Sequence, residues 1–299
     1  MMFEKLFEHS GLSMDRLRTL CEVADSGGMA NAAPGDPARQ SLYSRQIREL
    51  EGFFGVELVR RRGKGIEITA AGKELAAAAR EHLTRLGDFL MSGSGRPVEF
   101  HVAAGGSLLE WLVIPFLAAQ RGRLKNVSFR FSDMRSQEIV EALREHRVDF
   151  GILRANAIAH PLKKIVVRKM GYKVFAPQAW AARIQKNFSS FPMAILSGGE
   201  FRDRMLGASQ SAGVKLQEAY SCQSFAQCAQ LVKLQAAAAI LPDIASIEGA
   251  VNLQPKWLAA YRREIALAWH GRIVDFRPKA AEAIEVFSEL AEAADRKSH

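Results

Sequence analysis

The apolar residues of this chain change their spacing at one place, SerGlySerGlyArgPro (92–97), and that change limits what the chain can fold into. Before it they recur at helical intervals. Leu17, Leu20, Cys21 and Ala24 fall at i, i+3, i+4 and i+7, which predicts a helix from about Met14 to Ala24. After it, short apolar runs alternate with helical stretches. With 299 residues, about twice the usual ~150-residue domain, the chain is expected to form two or more folded units joined at this Ser/Gly segment.

The first unit reads as short helices and one hairpin. SerGlyGly (26–28) closes the first helix, and a short second helix over 29–33 is stopped by Pro34, Gly35 and Pro37. A third helix, Arg39 to Phe54, places Tyr43, Ile47, Leu50 and Phe54 toward a core. Its other side carries Gln40, Ser41, Ser44, Arg45 and Arg48, which are polar and rich in donors. Apolar strands at 56–60 and 66–68 around ArgArgGlyLysGly (61–65) predict a basic-tipped β-hairpin. Thr69 then caps a helix to about Leu90. Leu75, Ala79, His82, Leu83, Leu86 and Leu90 keep an apolar seam near heptad spacing along it. A helix this long cannot bury that seam against a small helical unit, so a second copy of the chain is expected to cover it. Packing against the chain's own C-terminal half is the alternative.

In the second unit, residues 98–103, 127–131, 148–153, 172–176, 194–196 and 238–241 read as short strands, with helices over 107–120, 135–146 and 224–236. This alternation predicts parallel sheets covered on both faces, in one α/β domain or two small ones sharing a cleft.

Charge alone locates nothing. The formal balance of 41 basic against 32 acidic residues is +9, with a pI near 9.6, which suits a polyanionic or anionic partner. Local clustering says more: Arg39, Arg45, Arg48, Arg60, Arg61, Arg62 and Lys64 face only Glu49, Glu51 and Glu57 in one window. The start of the chain has no apolar core of a signal sequence, and no run has the length of a membrane span. Cys21, Cys222 and Cys228 form no CxxC pair. A cytoplasmic protein with reduced thiols and no membrane partner is expected. Seven scattered histidines without HExxH, and the absence of a GxSxG elbow or a P-loop, predict no catalytic residue, metal or cofactor. Cys222 and Cys228, six apart, allow a redox switch, against which stands the reading of two buried thiols.

SerArgGlnIleArgGluLeuGlu (44–51) followed by GlyValGluLeuValArgArgArgGlyLysGlyIleGluIleThrAlaAlaGly (55–72) is similar to the winged helix-turn-helix signature of LysR-type transcriptional regulators. The later half resembles that family's effector-binding domain through GlyGlySer (105–107), ValAspPheGlyIle (148–152) and IleLeuPro (240–242). The resemblance implies a winged helix-turn-helix over 1–72, a linker and dimerisation helix with hinge over 73–96, and an effector-binding domain over 97–299. That domain is expected to be a two-subdomain periplasmic-binding-protein-like α/β fold, with subdomain I at about 97–170 plus 265–299 and subdomain II at about 171–264. Implied partners are double-stranded DNA, a small and anionic effector, further copies of the chain as a homodimer or homotetramer, and RNA polymerase. The chain departs from the family pattern twice. AlaAlaProGlyAspProAlaArgGlnSer (32–41) interrupts the second helix, and GlnAlaAlaAlaAla (235–239) replaces a glycine-rich turn.

On this reading Gln40, Ser44 and Arg45 meet base edges in the major groove, and Ser41 and Arg48 lie nearer phosphates. Arg62 and Lys64 at the hairpin tip meet phosphate or minor groove. Leu75, Ala79, Leu83, Leu86 and Leu90 form the dimer contact. Ser107, Ser132, Arg154, Ser197, Gly198, Phe201 and Arg202 line an effector crevice at strand ends, with helix capping as the plainer role for each serine. The runner-up function is a solute binder or enzyme whose DNA-binding unit is degenerate and serves oligomerisation.

Overall fold

Capping chemistry sets the N-terminal helices. In the computed structural model, which describes residues 3–62 and 65–291, the Ser13 side chain accepts from the Arg16 amide at 3.3 Å and starts α1, Met14–Ser26. A single turn, α2, follows at Met29–Ala32. The Asp36 carboxylate accepts from the Arg39 amide at 2.9 Å and Pro37 takes the first helical position, so α3, Pro37–Phe54, starts before the expected Arg39. The interruption at 34–37 thus shortens α2 and supplies a cap and a preset φ to α3.

Leu20, Ile47, Leu50, Leu58 and Ala76 form the fully buried centre of this unit. The hairpin strands are β1, Val59–Arg62, and β2, Gly65–Ile68, paired antiparallel with Arg60 opposite Glu67. β1 begins later than its apolar run because Glu51 Oε1 accepts from the amides of Leu58 (2.8 Å) and Val59 (3.1 Å), which holds the preceding residues as a loop. Lys64, at the hairpin tip, lies outside the described residues.

The linker helix α4, Ala70–Gly93, starts where Thr69 Oγ1 accepts from the Gly72 amide at 3.0 Å. Gly72 is required by close approach: a Cβ there would sit 2.2 Å from the Leu58 carbonyl oxygen. The expected dimer seam divides. Leu75 packs onto the buried cluster of the N-terminal unit and Ala79 is buried, because α1 runs along the first half of α4. Both belong to the chain's own core, a correction to their expected place at a dimer contact. Leu83 is half-buried, whereas Leu86, Phe89 (81% exposed) and Leu90 (70%) leave an apolar stripe on the second half of the helix.

The C-terminal half holds two five-stranded sheets. The first has the order β4-β3-β5-β12-β6, built from β3 (Val98–Ala104), β4 (Val127–Asp133), β5 (Phe150–Arg154), β6 (Leu162–Met170) and β12 (Arg263–His270). The second has the order β11-β7-β10-β8-β9, from β7 (Tyr172–Pro177), β8 (Pro192–Leu196), β9 (Gln217–Cys222), β10 (Ala238–Pro242) and β11 (Ala250–Leu253). Both sheets are mixed, which corrects the all-parallel expectation. β12 pairs antiparallel with β5 and β6, and β7 pairs antiparallel with β10 and β11. Strands β6, β9 and β11 carry too many charged or polar residues, or too short an apolar run, to announce themselves locally, whereas the apolar run 265–269 of β12 was passed over.

The chain crosses between the sheets at β6–β7 and again on the way from β11 to β12. Gly171 sits at the first crossing, where a Cβ would lie 2.2 Å from Arg262 Nη1 of the second. One buried cluster runs through both sheets, from Phe100, Phe150 and Leu267 to Val174, Met193 and Ile240, so the two subdomains are packed against each other.

Candidate nucleic-acid groove and ligand cleft

A groove of about 870 Å³ runs between α2, one side of α3 and the hairpin. Gln40, Ser41, Ser44 and Arg48 line it from α3, which at ~1.5 Å per residue is about 27 Å long, and Arg61 lines it from β1. Among the described residues no carboxylate lines it, whereas four other grooves each carry at least two. Strand alternation decides which hairpin arginine belongs to it. Arg60 and Arg62 share a face and both pair with Glu67 at 3.1 Å, holding its carboxyl below the usual range chiefly through the hydrogen bond from Arg60. Arg61 points to the other face, into the groove.

The expected readers therefore differ in readiness. Ser41 is exposed and Ser44 half-buried in the groove wall, with Arg48 Nη2 donating to Ser44 Oγ at 3.1 Å. Gln40 donates its amide to the Ala33 carbonyl at 2.8 Å, which ties α3 to the broken turn and leaves the Gln40 oxygen as its free side. Arg45 does not line the groove. It pairs with Glu49 at 2.9 Å, and Glu49 also takes Arg16 at 2.5 Å. Arg62 likewise stands outside the groove, bound to Glu67, and both arginines stay exposed (75% and 77%) while they hold these ion pairs.

The effector residues scatter more widely. Arg154, at the end of β5, reaches across the cleft between the subdomains and meets Glu200 at 2.6 Å. Glu200 opens the helix Glu200–Ser211, directly after the exposed loop of Ser197, Gly198 and Gly199. Phe201 is buried among Tyr172 (4.5 Å between ring centroids), Phe225 (5.1 Å) and Tyr261 (6.1 Å). Two candidates leave the cleft. Arg202 turns outward and grips Glu218 of β9 with two bonds at 2.8 and 2.9 Å. Ser132 hydrogen-bonds His101 Nε2 at 2.7 Å and does not line the cleft cavity. Ser107 stays half-buried at a helix start whose Gly106 amide already donates to Asp133 at 2.8 Å.

Sequence reasoning passed over Glu200, Arg204, Tyr261 and Arg263. Arg204 pairs with Glu200 at 3.0 Å and Arg263 approaches it at 3.7 Å. Glu200 carried a readable signal, a carboxylate just past two glycines at a helix start. Arg263 carried none, since its place depends on β12 returning through the hinge. Arg61 was visible within the basic run but not separable from its neighbours without the pairing register.

The two sites are physically joined. Arg277, 3% exposed, holds Asp88 of α4 through two bonds (2.7 and 2.9 Å), Asp149 at 2.7 Å and the Glu99 carbonyl at 2.7 Å, with its guanidinium 4.2 Å from the Phe100 ring. Arg80 of α4 meets Asp25 of α1 at 2.6 Å and the Glu145 carbonyl at 2.8 Å. Between these contacts, burial beside His270 and Arg272 pushes the His146 imidazole down to about 4. Cys222 and Cys228 are both buried, and burial plus the neighbouring thiol raises Cys228 well above the ordinary range, which leaves little reactive thiolate. Among the described residues, no three His, Cys, Asp or Glu side chains group so as to hold a metal ion, and no helix is long and apolar enough to cross a membrane.

Two family models match. Residues 14–73 match the bacterial regulatory helix-turn-helix protein, lysR family, and residues 94–290 match the LysR substrate binding domain. The chain is 28% identical over 145 residues to the uncharacterized HTH-type transcriptional regulator YfeR of Shigella flexneri, a match covering 47% of each chain. The chain spans about half the length of the first curated relatives it matches. In overall shape it is similar to ArgP from Mycobacterium tuberculosis, with a TM-score of 0.63 at 15% identity over 94% of this chain and 97% of that one. It is also similar to full-length CbnR complexed with its target DNA, with a TM-score of 0.55 at 21% identity over 95% of this chain and 100% of that one.

Proposed function

Because this chain belongs to the LysR family of bacterial helix-turn-helix regulators, we propose that it binds promoter DNA through α3 and the hairpin and answers to a small ligand held between its C-terminal subdomains. The observation that carries this is the carboxylate-free groove beside α3, where Ser41, Ser44, Arg48 and Arg61 face outward together. A duplex presents a wall of phosphate, and a protein groove free of its own anions meets that wall without repulsion. Arg48 and Arg61 supply phosphate contacts, while Ser41, Ser44 and the Gln40 oxygen lie within reach of base edges. The interrupted second helix does not abolish this groove, since Gln40 ties the turn to α3. That tether removes the main ground for treating the DNA-binding unit as degenerate. CbnR, bound to its target DNA, is of similar shape, which supports the same mode of use here.

The apolar stripe of Leu86, Phe89 and Leu90 on α4 is the self-association surface, replacing the longer seam read from spacing. Two copies joined there carry two α3 helices to successive half-sites. Coupling runs through Arg277, which fixes α4 to subdomain I, so a ligand that moves subdomain II against subdomain I changes the setting of the helices. The protein works by differential binding, with no chemical step. A salt-dependent gel shift tests the reading, with the DNA upstream of the protein's own gene against a scrambled duplex. Specific binding at about nanomolar to micromolar strength, weakening steeply with salt, is expected. Equal binding to both duplexes removes the function.

A further inference from the structure

Glu200 sits where a ligand's anionic group belongs. Its carboxylate takes Arg154 at 2.6 Å, Arg204 at 3.0 Å and Arg263 at 3.7 Å, so three guanidinium groups from three elements converge on one acid. They line a cavity of about 210 Å³ together with Asn156, Tyr261, Arg262 and a second carboxylate, Glu264. Arg154 belongs to the first sheet and Glu200 to the second subdomain, so this contact is a polar latch across the cleft. Building on the reading of that cleft as the ligand site, we propose that Glu200 is a built-in stand-in for a small carboxylate ligand, and that such a ligand binds by displacing Glu200 from the arginine cage and releasing the latch.

Three features of the cage support exchange over a permanent bond. The first is unmet demand. Arg263 is 18% exposed, and its buried Nη2 lacks a hydrogen-bond acceptor, because Glu200 is too distant to serve as one. A buried donor left unpaired is costly, and a second oxygen placed closer would satisfy it. The second is access. Glu200 is half-exposed, so a solute reaches the carboxylate without opening the core. The third is a rigid receptor. Arg263 is held beside the rings of Tyr261 (5.3 Å to the centroid) and Phe201 (5.7 Å), with its Nε donating to the Tyr261 hydroxyl. A pinned fork recognises the two oxygens of a carboxylate with little ordering cost. Glu200 stays ionised throughout, because the hydrogen bond from Arg154, then the charge of Arg263, lowers its pKa. The exchange is therefore of one carboxylate for another: a carboxylate of the ligand takes the place of Glu200, which swings to solvent.

Malonate is the probe, with uncharged malonamide as its isosteric control, titrated calorimetrically into the full-length protein at constant ionic strength. Glu200→Gln, which keeps the size and removes the competitor, is expected to bind malonate at least about tenfold more tightly than the natural protein. Glu200→Gln with Arg154→Gln is expected to lose that gain, and malonamide is expected to bind none of them. Equal malonate affinity in the natural protein and Glu200→Gln overturns the proposal, as does undiminished affinity in the double variant. A measurement on the natural protein guards against a misfolded variant. Saturating malonate is expected to speed amide hydrogen exchange over residues 200–204, and unchanged exchange there overturns the displacement. The gel shift described above is run on the same preparation. A protein that fails to bind DNA but passes the malonate test loses the regulator reading only, and the reverse result loses the stand-in only.

Discussion

The groove beside α3 and the cleft between the C-terminal subdomains are both lined by arginine, yet they treat that charge in opposite ways. In the groove, among the described residues, Arg61 has no carboxylate partner and Arg48 rests on Ser44. In the cleft, Arg154, Arg204 and Arg263 already surround Glu200, and Arg262 leans on Asp243 at 3.4 Å. The difference matches the two kinds of ligand. A duplex is a large fixed polyanion that approaches from outside, so the protein leaves its cations open to it. A small anion is held at close quarters, and arginines crowded together without a counter-ion repel one another, so the cleft neutralises itself with Glu200. Net charge of +9 conceals this contrast, because it adds open and satisfied cations together.

The largest expected break of the comparison is at Gly72. Gly72→Val forces side-chain atoms into the Leu58 carbonyl and is expected to destabilise the N-terminal unit by roughly 3 kcal/mol or more, abolishing DNA binding in gel shifts. Malonate binding in the cleft should survive; its loss would show that the two regions do not fold separately. Next comes the paired substitution Leu86→Lys and Phe89→Lys. It is expected to give monomers in sedimentation and to weaken DNA binding about a hundredfold or more, since one α3 then works alone. Persistent dimers would move the self-association surface elsewhere.

A smaller effect separates neighbours on one strand. Arg61→Ala is expected to weaken DNA binding about tenfold and reduce the salt slope by about 1, whereas Arg62→Ala changes affinity less than about threefold. The reverse order would mean that DNA meets the other face of the hairpin. The smallest effect concerns the contact between α4 and subdomain I. His146 is held neutral in the folded protein, with its pKa lowered from 6.5 to about 4 by burial first, then by His270 and Arg272. The unfolded chain takes up this proton below about 6.5 and the folded one does not until about 4, so stability falls as pH drops through that window. His146→Gln is expected to flatten that part of a plot of Tm against pH; an unaltered slope would assign it to another group.

The N-terminal unit was far more legible in the sequence than the cleft. Thr69 caps α4 within a few residues of itself, so that cap and the helix period could be read directly, whereas the need for glycine at 72 comes from the distant Leu58 carbonyl. The cleft draws Arg154, Glu200 and Arg263 from positions tens of residues apart. Only two of the expected residues that approach it, Arg154 and Phe201, take part in the cage or its aromatic wall, while Arg202 spends its charge on Glu218. Leu75 and Ala79 failed as dimer residues for a related reason. Helical spacing names a face, and what covers that face depends on α1 folding back along α4.

Local order thus came from the chain itself: the change of apolar period at 92–97, the helix caps, the family match and the donor-rich side of α3. Tertiary structure alone decided which arginines remain open, the antiparallel return of β12, and the presence of the chain's own carboxylate in the cleft. The reason is the range of the interactions. Periodicity and capping act over one or two turns, whereas ion pairing and strand register are settled by groups that meet only after the whole chain has closed on itself.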